Sequence, residues 1–227
     1  MLELKQLCKH YHDGDKQIQA VDHIDLTIEK GEFISLYGPS GSGKTTLLNL
    51  IGGLERPDEG QIVLEGAETT KLSADQLTEL RLNQIGFIFQ SYNLIPVLSA
   101  LENVAFIMQM QGQDGDVTRE RAMEVLKAVG LEGLENRRPA ELSGGQQQRV
   151  AVARAIAAKP KLVLADEPTA NLDSHNSQTL MELLKKLNEE LNMTFIITSH
   201  DPEVIHFAPR RIQLKDGQVV SDDRNES

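Results

Sequence analysis

Four short apolar runs without alternation stand out along the chain: Phe33–Tyr37, Ile85–Phe89, Leu162–Ala165 and Thr194–Thr198. Each has strand length, and an unbroken apolar run predicts a strand covered on both faces, as in a parallel sheet. Between the runs the apolar period becomes helical. Leu180, Leu183, Leu184, Leu187 and Leu191 share one predicted helical face. Ala122, Val125, Leu126 and Val129 share another, with Gly130 placed to end that helix. Strands alternating with helices predict an α/β domain. The ends of the chain read differently. Residues 1–31 and 60–70 alternate and turn at Gly, predicting an antiparallel β-subdomain, and Arg211–Val220 predicts a hairpin about Asp216-Gly217. Residues 91–160 show no strand pattern and predict a helical subdomain. Segments 32–59, 71–90 and 161–220 form the expected core, and 221–227 a solvated tail.

In open parallel sheets ligands bind beyond the carboxyl ends of the strands. The first run is followed there by Gly38-Pro39-Ser40-Gly41-Ser42-Gly43-Lys44-Thr45-Thr46, the second by Gln90, the third by Asp166 and Glu167, and the fourth by Ser199 and His200. One pocket is the economical explanation for four strands that each end in a polar group. The first segment fits G-x-x-x-x-G-K-[ST], a phosphate-binding loop. Its glycines let backbone N–H groups turn inward around phosphate oxygens. Lys44 reaches the β- and γ-phosphates, and Thr45 offers its hydroxyl to Mg²⁺. A helix from about Lys44 to Gly52 aims its N-terminus at the anion. A random match in a chain of this length is on the order of one in a hundred. The strand before the loop and the apolar helix after it lower that further.

Asp166 ends a buried strand, where a lone carboxylate is costly unless paired or metal-bound. That suits an Mg²⁺-holding Asp. Glu167, next to it, could polarise an attacking water. Leu142-Ser143-Gly144-Gly145-Gln146 precedes a predicted helix from about Gln147 to Ala158, ended by Pro160. Ser143 with its two glycines forms a second anion-binding helix start; standing alone it would read as a glycine-containing N-cap. Two phosphate cradles in one chain make sense when the second serves another chain's nucleotide.

Composition narrows the function classes. The net charge is −11, from 23 Lys plus Arg against 34 Asp plus Glu. Duplex nucleic acid is therefore a poor partner, because its binding rests on basic side chains that neutralise phosphates. Aromatics at 4% with no Trp also disfavour a base-stacking platform. The single Cys8 excludes an internal disulfide framework and reads as a small hydrophobe in an N-terminal strand. No apolar stretch approaches the length of a membrane span, and Met1–Tyr11 has no signal-peptide core. The chain is expected to be cytosolic, with any membrane role requiring a partner that does the spanning. His10, His12, His23, His175 and His206 lack metal-ligand spacing and read as surface or turn positions. Asp13-Gly14-Asp15 is too short for a calcium loop and reads as a turn. No Asn-Lys-x-Asp guanine motif is present.

On these motifs the chain resembles the ABC-transporter ATPase family along essentially its whole length. The signature Leu142–Gln146 downstream of the phosphate loop is the most specific feature. The resemblance implies an α/β P-loop NTPase (RecA-like) core with a mainly parallel sheet, an N-terminal antiparallel β-subdomain and an α-helical subdomain. It implies ATP and Mg²⁺ as cofactors. Gly38, Pro39, Ser40, Gly41, Ser42, Gly43, Lys44, Thr45 and Thr46 become the Walker A loop, and Ser143, Gly144, Gly145 and Gln146 a second set of ATP contacts. Thr45, Gln90 and Asp166 become the Mg²⁺ site, with Gln90 as the Q-loop. Glu167 becomes the catalytic carboxylate, Ala170-Asn171-Leu172-Asp173 the D-loop and His200 the switch histidine. Tyr11 falls where the family stacks an aromatic ring on adenine, although an ordinary strand-end aromatic would look the same.

The resemblance further implies a homodimer when ATP is bound, an integral membrane permease as partner, and a peripheral place on the inner face of the cell membrane. Neither nucleic acid binding nor direct membrane insertion is implied. The apolar, Met-rich segment Leu94–Met110 becomes the region that receives a coupling helix from the permease. Gln90–Pro96, Ala100–Val104 and Ala165–Asp173 look like the LolD/MacB/FtsE branch of lipoprotein-releasing, macrolide- and peptide-exporting and cell-division ATPases. ATP hydrolysis coupled to export or extraction is the expected function. The same ATPase signalling through a membrane subunit to a periplasmic hydrolase is the alternative. A soluble ATPase of DNA repair or translation is more remote: the chain is acidic, carries one module, and has no coiled coil between Gln90 and Ser143. Cargo recognition belongs to the membrane subunit.

Overall fold

The structure is a computed structural model that describes residues 1–14 and 16–224. Asp15, within the expected turn, and residues 225–227 of the expected tail lie outside the described residues. Two compact units emerge: Met1–Arg81 with the described residues from Thr194 onward, and Leu82–Met193.

The first unit holds an antiparallel sheet in the order β2-β1-β4-β5, formed by β1 (Leu2–Asp13), β2 (Lys16–Ile28), β4 (Glu59–Leu64) and β5 (Ala67–Glu68). Leu2 and Leu4 alternate inward as expected, but the next buried residues are Leu7 and Cys8. The phase changes because Gln6 adopts a left-handed conformation, φ 48°, where the β1–β2 register shifts. A bulge of this kind re-aims every side chain beyond it. The unit's other strands centre on β3 (Phe33–Tyr37). β8 (Thr194–Ser199) and β9 (Arg210–Lys215) flank it, both parallel. Phe33, Ile34, Ser35 and Leu36 are all buried, as a strand covered on both faces requires. β10 (Gln218–Arg224) returns antiparallel to β9 through Asp216 and Gly217, both at positive φ, the pairing demanded by a tight hairpin. It reaches Arg224, four residues into the stretch expected to be tail. Helices α1 (Lys44–Ile51) and α7 (Pro202–Phe207) also belong to this unit, as does α2 (Ala74–Gln84) up to Arg81.

In the second unit β6 (Ile85–Ile88) pairs in parallel with β7 (Leu162–Asp166). Parallel neighbours need a crossover connection. Here the crossover contains α3 (Ala100–Met110), α4 (Gly115–Ala128) and α5 (Gly144–Ala157), and α6 (Ser174–Leu191) follows β7. The helical segment and the two strands therefore belong to one compact body. On α4, Ala122, Val125 and Leu126 are buried, with Val129 at its C-cap and Gly130 at φ 75° just beyond. On α6 the buried stripe is Leu180, Leu184 and Leu187 with Met181, while Leu191 is exposed. The helical pattern thus loses its seam one turn earlier than its leucines suggest.

A buried ion-pair cluster closes the β9–β10 hairpin. Arg210, 5% exposed, donates from Nε and Nη2 to the Asp222 carboxylate at 2.8 and 2.6 Å, and from Nη1 to Glu32 at 2.7 Å and Thr27 O at 2.9 Å. The Arg210 guanidinium holds the Asp222 carboxyl below the usual carboxylate range. A depressed folded-state value contributes stability above the unfolded value, near 3.9, and loses it as pH falls through the lower folded one. Asp222→Asn should therefore lower stability by about 1 kcal/mol at pH 7, given the partial exposure of that carboxylate. Denaturant midpoints should show a constant gap from wild type between pH 7 and about pH 4 that narrows below it.

Candidate nucleotide site

The phosphate loop leaves the carboxyl end of β3 and enters α1. Gly43 is the N-cap of α1, at φ 100°, and no side chain caps the helix. The first-turn amides of such a helix have no intrahelical acceptor and favour an anion. Glycine is required by space as well as by conformation. A Cβ on Gly43 would stand 2.1 Å from Ala20 O of β2, and one on Gly38 would stand 2.0 Å from Leu214 O of β9. The hairpin turn also braces the loop, since Gly217 N donates to Ser42 O at 3.2 Å. Lys44 is 8% exposed, and its ammonium donates to Gly38 O and Pro39 O at 2.9 Å each, folded over the loop it follows. The buried Ser42 Oγ has no protein partner. An orphaned hydroxyl, a capless helix start and an ammonium on one loop fit a bound phosphate chain.

Tyr11 lies beside this loop. Its hydroxyl donates to Glu55 at 2.5 Å and also interacts with the Thr46 side chain. Burial and the Glu55 hydrogen bond raise its pKa. The residue is 38% exposed, and Lys9 Nζ stands 5.7 Å from the ring centroid. Asn49 of α1 holds Glu55 from the other side, Nδ2 to Oε1 at 2.8 Å. Tyr37 and Ser199 are register partners in β3 and β8, so Gly38 and His200 leave the same end of adjacent strands. His200 is exposed.

The second unit repeats this arrangement at β6 and β7. Ile88 and Ala165 are register partners, so Gln90 and the pair Asp166 and Glu167 also leave one end of adjacent parallel strands. Glu167 adopts φ 46°. A left-handed non-glycine residue costs about 1–2 kcal/mol and persists where its surroundings hold it. The next residue, Pro168, is buried, and its carbonyl accepts from Gln148 Nε2 of α5 at 2.7 Å. Asn171 Nδ2 donates to Gln90 O at 2.9 Å. The hydroxyl of Thr45 in the first unit, and the carboxylate of Asp166 and the amide oxygen of Gln90 in the second, are each hard oxygen donors of the type that suits Mg²⁺.

α5 starts at Gly144, three residues before the expected start, so both signature glycines lie in its first turn. Ser143 is its N-cap in a reciprocal capping box. Ser143 Oγ accepts from Gln146 N at 3.3 Å, and Gln146 Oε1 accepts from Ser143 N at 2.9 Å. Capping uses the hydroxyl as an acceptor and leaves its proton to donate. Helix cap and anion ligand are therefore compatible roles for one serine.

Spacing along the chain hid several of these partners: Glu55 for Tyr11, Gln148 for Pro168 O, and Asn171 for Gln90 O. It also hid Cys8, His23 and Glu59, whose ligand-type atoms lie within 4.8 Å of one another. There the buried Cys8 Sγ accepts from His23 N at 3.3 Å, and the His23 ring is bonded to Asp22 at 2.6 Å, which raises the imidazole pKa. The thiol thus takes a cross-strand amide at the bulge, while the ring is engaged by its neighbour within β2.

The ABC transporter family profile matches residues 21–170. Over 228 residues the chain is 48% identical to MJ0796 of Methanocaldococcus jannaschii, an ABC transporter ATP-binding protein, covering 99% of this chain and 97% of that one. It is 43% identical over 222 residues to MacB of Mannheimia succiniciproducens, a macrolide export ATP-binding/permease protein. That match covers 98% of this chain but 34% of MacB. The solved dimer of MJ0796 bound to ADP and Pi superposes with a TM-score of 0.92 at 46% identity over the whole of both chains. CbiO1 of Clostridium perfringens, part of the CbiONQ transporter complex, gives 0.88 at 30% identity, covering 99% of this chain and 88% of that one. With its phosphate loop, its capped signature helix and relatives matched end to end, the chain belongs to the ABC transporter family of ATP-binding proteins.

Proposed function

We propose that this chain is the ATP-binding and ATP-hydrolysing subunit of an ABC transporter complex, pairing with a second copy when ATP is bound and thereby driving an integral membrane permease. The observation that carries this reading is the presence of two helix starts, each suited to an anion: α1 at Lys44 and α5 at Ser143. Residues 38–46 cradle the phosphates, with the Lys44 ammonium meeting the β- and γ-oxygens. The Tyr11 face receives the adenine. Thr45, Gln90 and Asp166 hold Mg²⁺, which supplies positive charge against the phosphate oxygens. Glu167 accepts a proton from the attacking water. His200 donates to the γ-phosphate and so distinguishes ATP from ADP. Ser143, Gly144, Gly145 and Gln146 serve the nucleotide of the partner copy. The solved dimer of MJ0796 supports the pairing, and the name of MacB supports export.

Among the described residues no helix is long and apolar enough to cross a membrane. Residues 91–160 carry exposed apolar side chains: Val97 at 72%, and on α3 Met110 at 60% with Phe106 one turn before it. Adaptable apolar groups of this kind suit a docking permease. The chain then works peripherally on the inner face of the cell membrane, without nucleic acid.

A mixing experiment tests the shared site. In a two-fold dimer each site uses Lys44 of one copy and Ser143 of the other. Lys44→Ala fails at its own loop. Ser143→Arg blocks the partner's γ-phosphate, at a cost of about 1 kcal/mol for the lost cap. Neither variant alone should form an ATP-dependent dimer. Mixed, they assemble one intact site, from the loop of the Ser143→Arg copy and the signature of the Lys44→Ala copy. Labelled nucleotide retained after rapid desalting should rise to one ATP per heterodimer. If mixing retains no more than the separate folded variants do, Ser143 is a helix cap and nothing more.

A further inference from the structure

The turn after β6 is built from unfavourable backbone. Tyr92 and Asn93 are consecutive left-handed residues, at φ 60° and 48°. Such a pair persists where neighbouring groups hold it. Its two carbonyls are taken by a single side chain of α5. Arg154 Nη2 donates to Tyr92 O at 2.9 Å and Nη1 to Asn93 O at 2.5 Å. The guanidinium is half-buried, and burial alone pushes its pKa down. A desolvated cation needs its hydrogen bonds, and the planar fork of arginine reaches two carbonyls where an ammonium acts as a point charge.

Two further contacts tie down the same turn. Asn171 donates to Gln90 O at 2.9 Å. Tyr92 Oη lies 3.0 Å from the position a Cβ on Gly144 would take. The turn therefore touches α5 at its first residue, beside Ser143, and again at Arg154.

We propose that Arg154 is a positioning residue that clamps the turn at 90–93 onto α5, so that Gln90 and Ser143 belong to one rigid piece. The inference rests on the roles proposed above for those two residues. Displacement of the turn by a membrane partner is then transmitted along α5 to Ser143, about 16 Å away along the helix axis. Conversely, releasing the clamp disturbs Gln90 without touching the phosphate loop.

The test measures equilibrium binding of a non-hydrolysable ATP analogue to the full chain across a series of Mg²⁺ concentrations and in EDTA. Arg154→Met should raise the Mg²⁺ concentration at half-saturation about five-fold or more, the range of coupled neighbours, while analogue affinity in EDTA stays within about two-fold of wild type. Arg154→Lys should rescue little, because an ammonium lacks the planar two-nitrogen fork with which the guanidinium reaches the two carbonyls from this position on α5. Asn171→Ala should shift the Mg²⁺ midpoint in the same direction by less. Since Arg154 acts through Gln90, adding Arg154→Met to Gln90→Ala should move the midpoint no further, an outcome that a general packing role would not produce. An unchanged midpoint in folded Arg154→Met, or full additivity with Gln90→Ala, overturns the proposal. Should Arg154→Met fail to fold, Arg154→Lys and Asn171→Ala decide by the same criterion. If wild-type protein does not bind the analogue at any Mg²⁺ concentration, the nucleotide reading falls, and the clamp's role with it.

Discussion

Glu167→Gln should bind ATP like the wild type and lose about 10²–10⁴-fold of its hydrolysis rate, the usual cost of removing a general base. The amide keeps the length and shape of the carboxylate but cannot accept the proton of water. The backbone sharpens the comparison. Glu167 is left-handed at φ 46° between the end of β7 and the buried Pro168. Gln meets the same steric demand as Glu there, so the turn is retained and the loss reports on chemistry. The variant should accumulate in ATP as a dimer on size exclusion. A monomer that hydrolyses at the wild-type rate would assign Glu167 a structural role only.

Lys44→Ala should abolish hydrolysis and weaken ATP binding by about 10- to 100-fold, the worth of one charge-assisted hydrogen bond. Its ammonium is the main protein cation expected at the γ-phosphate. The structure adds a second consequence. Lys44 Nζ satisfies Gly38 O and Pro39 O, so the variant also deprives two loop carbonyls of a donor. Thermal unfolding separates the two effects. A small shift in midpoint with binding lost points to the missing charge, whereas a large shift points to collapse of the loop. Near-normal turnover, with or without a membrane partner, would refute the phosphate-loop assignment.

The strands that carry candidate site residues were legible in the sequence because each is an unbroken apolar run ending abruptly in a polar residue. Phe33–Tyr37, Ile85–Ile88, Leu162–Asp166 and Thr194–Ser199 are the corresponding strands. The glycine spacing of residues 38–44 was legible for a related reason: no other residue tolerates the carbonyls of Ala20 and Leu214 at 2.1 and 2.0 Å from a Cβ. Other features left weaker traces. The phase change in β1 depends on left-handed Gln6, a conformation that glutamine does not advertise. The start of α5 lies three residues ahead of its sequence signal because Gly144 and Gly145 look like loop, whereas the capping box of Ser143 and Gln146 initiates the helix before them. β10 runs past its sequence signal: Ser221–Arg224 is polar, yet Asp222 is drawn into the strand by buried Arg210.

Local pattern by itself determined which segments become strands and helices and which residue types stand at the strand ends, because burial on both faces, glycine-only turns and helix caps each leave a mark within a few residues. Tertiary structure alone decided which distant groups hold those residues in place. Arg154 grips Tyr92 O and Asn93 O, Asn171 grips Gln90 O, and Gln148 grips Pro168 O. In each case the acceptor is a backbone carbonyl, which every residue carries, so neither its identity nor its spacing marks the partner before the chain has folded.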